Sequence, residues 1–226
     1  MCDHRCQVYG VTNQIHRMKV LIACEYSGTV RDAFLQLGHD AMSCDLLQTD
    51  VPGPHYQGDV FDIINDGWDL MIAHPPCTYI SRAGARWMHG NGQINKDRLR
   101  EALKAKEFFL RLYNSNIKMI AIENPTPLQI LKMPEPTQSI QPYEFGHPYS
   151  KRTLLWLKNL PKLRPTQIVN DHQPFLPSNT GGKKRGQSYN FGTAKNWKES
   201  STTFAGVAKA MAEQWSEPGI IQGKLL

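Results

Sequence analysis

Apolar residues gather into short continuous runs separated by polar turns, and these runs alternate with segments of helical spacing. Lys19 to Cys24 (KVLIAC) reads as a strand, ended by Glu25-Tyr26-Ser27-Gly28. Thr29 to Leu37 places Val30, Ala33, Phe34 and Leu37 on one helical face, and Gly38 closes that helix. His39 to Cys44 reads as a second strand ending on Asp45. Strand, turn, helix, strand is the opening βαβ of a doubly wound sheet. Asp69 to Ala73 (DLMIA) is almost continuously apolar, as a central parallel strand buried on both faces requires. It runs straight into His74-Pro75-Pro76-Cys77, and a Gly-rich stretch follows from Ser81 to Gly92. Asp97 to Tyr113 has the period of a long helix, with Asn95 or Asp97 placed to cap it. Lys118 to Ile122 predicts a strand that stops at Glu123-Asn124-Pro125. Thr153 to Leu157 predicts another, and Phe204 to Trp215 a closing helix. The expected fold class is therefore α/β: a Rossmann-like doubly wound, mostly parallel sheet with a small loop-rich appendage.

Composition narrows this picture. A chain of 226 residues suits one compact domain. Residues 1–17 are polar and aperiodic and are expected to be an N-terminal extension to a domain over 18–226. Within it, 161–200 is rich in Pro, Gly, Asn and Lys. A hydrophobic content of 40% argues against global disorder. The net charge of +6 suits a polyanionic partner, of which nucleic acid is the commonest. The five cysteines are irregularly spaced, which implies no disulfide framework and fits a reducing compartment. Cys2 and Cys6 lie near His4 and His16, but the spacing is poor for zinc and no metal site is expected. No apolar run is long enough to span a membrane, and no signal peptide is evident.

In an open parallel sheet, ligands bind beyond the carboxyl ends of the strands. Glu25, Asp45, Asp59, Cys77 and Glu123 all fall near such ends. The turn at Glu25 lacks the GxGxxG of a dinucleotide site, yet a small-residue turn into a helix still offers backbone N–H groups to a carboxylate. An acid closing the second strand, here Asp45, is placed to hold a ribose. Structural roles as turn residues and helix caps explain the same acids equally well. Cys77 alone would read as a small core residue, but two preceding prolines forbid continued strand or helix and stiffen the loop that presents its thiol. His74, three residues away, either favours the thiolate or is structural. Glu123 pairs chemically with Cys77. Thiolate addition at C6 makes C5 of cytosine enamine-like, and an acid at N3, its pKa raised by burial, lowers the cost of that addition.

These residues resemble the cytosine-C5 DNA methyltransferases, in the compact form found in phages and prophages. Pro76-Cys77 is similar to that family's nucleophile loop, Ser81 to a serine of its mobile catalytic loop, and Glu123-Asn124 to its acid motif. Arg152, within Ser150-Lys151-Arg152-Thr153, stands where the resemblance implies an arginine on the flipped base. The family's Q-x-R-x-R pattern is absent there. Ser201-Thr202-Thr203-Phe204 resembles the C-terminal cofactor motif in position more than in letters. The resemblance implies S-adenosyl-L-methionine as cofactor, held by Cys24, Glu25, Ser27, Gly28, Asp45, Asp59, Pro75, Thr202 and Thr203. It implies double-stranded DNA with a flipped cytosine as partner, a monomer, and the cytoplasm of a bacterium or an infected host cell. Lys183, Lys184 and Arg185 are expected on phosphates. The short segment 161–200 predicts a short or relaxed target sequence.

Three other readings stand beside this one, of which one-carbon transfer to a free nucleotide is disfavoured by the basic, loop-rich segment. An amino-group methyltransferase uses a double-proline loop with an aromatic end and needs no cysteine; His74-Pro75-Pro76-Cys77 has the prolines and different ends. A catalytically inactive nucleic-acid-binding protein on the same scaffold is the second.

Overall fold

The computed structural model describes residues 17–90, 93–175 and 201–216. A seven-stranded sheet runs through them, built from β1 (Lys19–Ala23), β2 (Asp40–Asp45), β3 (His55–Gln57), β4 (Leu70–Ala73), β7 (Met119–Asn124), β8 (Gln138–Ile140) and β10 (Thr153–Lys158). The remaining strands are two-residue pairings outside that sheet: β5 (His89–Gly90) with β6 (Gln93–Ile94), and β9 (Tyr149–Ser150) with β11 (Gln173–Pro174). The helices are α1 (Thr29–Gln36), α2 (Val60–Ile63), α3 (Lys96–Tyr113) and α4 (Ala205–Trp215).

The spatial order is β3-β2-β1-β4-β7-β10-β8. The first five strands are mutually parallel; β10 is antiparallel to both β7 and β8. This is the mostly parallel, Rossmann-like sheet that the apolar runs imply. Side-chain alternation divides its core into two layers, as the period of two in a strand demands. Val20, Ile22, Leu70, Ile72 and Ala121 pack on one face, under α1 and α4. Leu21, Met71, Ala73, Ile120 and Ile122 pack on the other, under α2 and α3.

Helix starts follow the local chemistry. Asn95 caps α3, its side chain accepting from the Arg98 N–H at 3.0 Å, and Asp59 caps α2 through Phe61 at 3.0 Å. At α4, Gly206 has no room for a side chain: an added Cβ would run into the Phe145 carbonyl oxygen. Its N–H donates to His147 Nε2 at 2.9 Å, which seats the helix on the 145–147 turn.

A fully buried arginine shapes the loop after β2. Arg31 pairs with Asp32 at 2.8 Å and donates to the Ser43 and Thr49 hydroxyls and the Val51 and Pro52 carbonyls. Gly53, at φ +157°, leaves the space its guanidinium fills. No described helix is long and apolar enough to cross a membrane.

Candidate active site

The chain leaves β1 for β2 and β3 on one side, then returns to place β4 on the other. This reversal opens a crevice at the carboxyl ends of β1 and β4, where open α/β sheets take their ligands. A cavity of about 220 Å³ lies there. Cys24 and Cys44 contribute from the ends of β1 and β2; Val60, Ala105 and Phe108 form apolar walls from α2 and α3. Asp45 and Asp59 bring carboxylates to it, each with one oxygen held by backbone N–H: Asp45 by Leu47 at 2.9 Å and Asp59 by Phe61. Pro76 completes the lining, so the cavity abuts the residue before Cys77.

Cys24 and Cys44 are held as thiols. Burial, then the neighbouring Asp45 carboxylate, pushes the Cys24 thiol far up and the Cys44 thiol to about 12. Thiols held protonated in this way are inert.

The first turn corrects one expectation. The N–H groups opening α1 are not available to a ligand carboxylate, because Glu25 occupies them. Its carboxylate accepts from Val30 N at 2.7 Å, Arg31 N at 3.2 Å and the Ser27 hydroxyl at 3.2 Å. Gly28, at φ +73°, makes the left-handed turn that folds Glu25 back onto its own helix. Tyr26 extends from the same turn to the Ser201 hydroxyl at 2.9 Å, tying it to the segment before α4. Of the residues expected around a cofactor, Cys24, Asp45 and Asp59 line the cavity. Glu25, Ser27, Gly28, Pro75, Thr202 and Thr203 do not. Thr203 instead borders a gap of about 20 Å³ with Glu123, Lys151 and Thr153.

Cys77 is exposed at the end of the loop following β4. Two adjacent side chains of β7 grip two adjacent residues of that loop. Glu123 Oε2 lies 2.8 Å from His74 Nδ1, and Asn124 Nδ2 donates to the Pro75 carbonyl at 2.9 Å. Parallel pairing of Ala73 with Ile122 puts these strand ends side by side. Past Cys77 the chain is held again: Ser81 N donates back to the Cys77 carbonyl at 2.9 Å, and Ser81 bridges to Pro127. Ser81 is itself buried.

The charges at this junction differ from the expected ones. Burial alone raises the Glu123 pKa, but the His74 hydrogen bond and charge, then Lys151 and a Thr153 hydrogen bond, outweigh it and hold the carboxyl below its ordinary value. Burial lowers His74, yet the Glu123 hydrogen bond and charge, with Glu25, outweigh it and hold the imidazole above its ordinary value. The proton of the pair therefore rests on His74, which is committed to Glu123 and not to the thiol. Desolvation and the Glu123 charge raise the Cys77 pKa, while its own backbone N–H and Lys151 work the other way.

Antiparallel β10 delivers the cation. Its pairing of Leu155 with Glu123 brings the residues before the strand to the carboxyl end of β7. Lys151 and Thr153 border the gap beside Glu123, whereas exposed Arg152 turns away and donates to the Ser139 hydroxyl at 3.3 Å. Sequence reasoning chose Arg152 and passed over Lys151; the signal it lacked was that alternate residues face one side. Cys2, Cys6, His4, His16, Lys183, Lys184 and Arg185 lie outside the described residues, as does 176–200 of the expected recognition segment. Among the described residues no cluster of His, Cys, Asp or Glu has a metal-binding arrangement.

Fold and crevice together define a doubly wound α/β protein with a cavity at its topological switch point. No protein-family model matches the chain, and no curated protein matches it. Among solved structures it is similar to the methyltransferase EhMeth of Entamoeba histolytica, at a TM-score of 0.42 and 14% identity. The match covers 68% of this chain and 58% of that one, so the chain spans less than two thirds of that protein's length.

Proposed function

We propose that this protein is an S-adenosylmethionine-dependent methyltransferase that modifies C5 of cytosine in DNA, with Cys77 as nucleophile. The observation that carries this reading is an exposed thiol directly after Pro76, which lines the cavity at the switch point, on the loop that Glu123 grips through His74.

The cavity suits the nucleoside end of the cofactor. Its walls are apolar, as a purine ring requires, and Asp45 closes β2 where an acid holds ribose hydroxyls. At about 220 Å³ it is smaller than the roughly 300–1,000 Å³ of a typical ligand cleft, so the amino-acid end must extend beyond it. Glu25 closes the α1 N-terminus to that end. When bound, the cofactor supplies an electrophilic methyl group.

The protein does the rest. The target cytosine leaves the helix stack to reach the loop. The Cys77 thiolate adds to C6, and Glu123 supplies the proton that N3 takes up. Asn124 fixes the Pro75 carbonyl and so the angle at which Cys77 is offered. The amino-group reading lacks its aromatic residue, because Cys77 stands after the double proline where that reading calls for one. Lys183, Lys184 and Arg185 fall to phosphate contacts and Arg152 to the opened DNA, with a recognition site of about one to three bases.

Incubating duplex DNA with the protein and cofactor, then digesting to nucleosides for mass spectrometry, tests this. C5-methylcytosine is the expected product. A denaturation-resistant adduct with 5-fluorocytosine DNA, lost in Cys77→Ser, is the expected trap. Transfer to an amino group by wild type and Cys77→Ser alike would overturn the reading.

A further inference from the structure

We propose that His74 stores the proton that Glu123 delivers to N3 of the target base, so that the acid of this site is the His74–Glu123 pair and not the carboxyl alone. The inference rests on the cytosine-C5 reading above. Its basis is geometric. His74 and Glu123 follow paired residues of adjacent parallel strands, their side chains meet at 2.8 Å, and they are only 11% and 16% exposed. The charges facing His74 are the Glu123 carboxylate from β7, the Glu25 carboxylate from the turn after β1, and the Lys151 ammonium before β10. With a proton on His74 the four groups balance; without it the cluster carries a net negative charge. Cys77 is on the same loop as His74, and the Glu123 charge raises its pKa.

A second observation concerns the far nitrogen of the ring. His74 Nε2 is buried and has no hydrogen-bond partner among the described residues. The bond to Glu123 is therefore the one that decides which ring nitrogen carries the proton, and it favours Nδ1.

The step balances. The Cys77 thiol first loses its proton to water, its sulfur pair then forms the S–C6 bond, the C5=C6 pair becomes C4=C5, and the C4=N3 pair becomes the N3–H bond. Glu123 gives N3 its proton and takes the Nδ1 proton of His74, which leaves neutral imidazole beside a carboxylate. After methylation the C5 proton leaves to water, Cys77 departs, and the N3 proton returns along the same path.

His74→Asn tests this, because an asparagine amide nitrogen takes the place of Nδ1 and can donate to Glu123, but its N–H is too weak an acid to give up a proton. The rate of adduct formation on 5-fluorocytosine duplex DNA is followed against pH, with cofactor affinity measured by calorimetry. Divided by the Cys77 thiolate fraction, read from iodoacetamide labelling at each pH, the wild-type rate is expected to fall as pH rises through the His74 titration. In His74→Asn it is expected to be roughly 10²–10⁴-fold lower near neutrality and to recover toward acid pH, as Glu123 takes up its own proton. Cofactor affinity is expected to stay unchanged. NMR titration of His74 gives a reading free of activity and serves if His74→Asn does not fold: Glu123→Gln is expected to lower the His74 midpoint. A variant profile scaled uniformly without change of shape, or a His74 midpoint unmoved in Glu123→Gln, would overturn the proposal. Wild type that binds DNA and cofactor yet forms no adduct sinks the cytosine-C5 reading and this inference with it. Wild type that forms the adduct beside an unshifted variant profile sinks the inference alone.

Discussion

Asn124 and Pro75 sit at the ends of neighbouring parallel strands, and the buried asparagine donates Nδ2 to the proline carbonyl at 2.9 Å. That bond lies two residues before Cys77. Asn124→Ala leaves the carbonyl without its donor, at a cost of about 1–3 kcal/mol. The expected outcome is a lower thermal midpoint together with slower adduct formation at unchanged cofactor affinity. A stability loss with the full rate of adduct formation would separate Asn124 from the presentation of Cys77.

The thiols are expected to differ in reactivity. Cys77 is exposed, whereas burial and nearby carboxylates hold Cys24 and Cys44 protonated. Iodoacetamide with peptide mapping should label Cys77 well before either of the others in the folded protein. Labelling of Cys77 should quicken as pH rises, because its pKa stands above the ordinary value of 9.0 and the thiolate is the reactive form. Equal labelling of the three thiols would contradict the burial that sets them apart.

Two acids of the crevice are expected to act differently on the cofactor. Asp45 lines the cavity, and Asp45→Ala should weaken cofactor binding by about 10–100-fold, the worth of a hydrogen bond to a charged group. Glu25 is consumed in capping α1, so Glu25→Gln should lower stability more than affinity. Calorimetry and thermal unfolding of the two variants check both halves.

Stability should depend on pH through the His74–Glu123 pair. His74 has a raised pKa, so its contribution is complete below 6.5 and is lost as pH rises through the folded value. Glu123 has a lowered pKa, so its contribution is complete above 4.5 and is lost as pH falls through the folded value. The pair therefore contributes most between these limits. Urea unfolding across pH is expected to show a maximum there that flattens in Glu123→Gln, with up to about 3–5 kcal/mol lost when one partner of so buried a pair is removed. An identical pH dependence in the variant would count against the pairing.

Much of the fold is legible in local pattern. The runs at Lys19, Asp69 and Lys118 are apolar throughout because both faces of a parallel strand are covered, and helix periodicity marks α1, α3 and α4. The three-residue strands β3 and β8 and the single turn of α2 escape such reading, since they are too short to express a period. Cys77 is conspicuous for a chemical reason: two prolines exclude regular structure at the residue before a thiol.

By itself, then, the sequence determined an alternating α/β chain, the strand ends at which chemistry gathers, and the residue types available there. Which of those residues meet was decided only by tertiary structure. Glu25 turned inward because left-handed Gly28 folds it onto the N-terminus of its own helix. His74 met Glu123 because β4 and β7, 49 residues apart at the contact, became parallel neighbours. Lys151, not Arg152, reached that pair because β10 runs antiparallel and alternate side chains face opposite sides. Partnerships of this kind depend on strand order, direction and register, which long-range packing sets and which no short window of residues encodes.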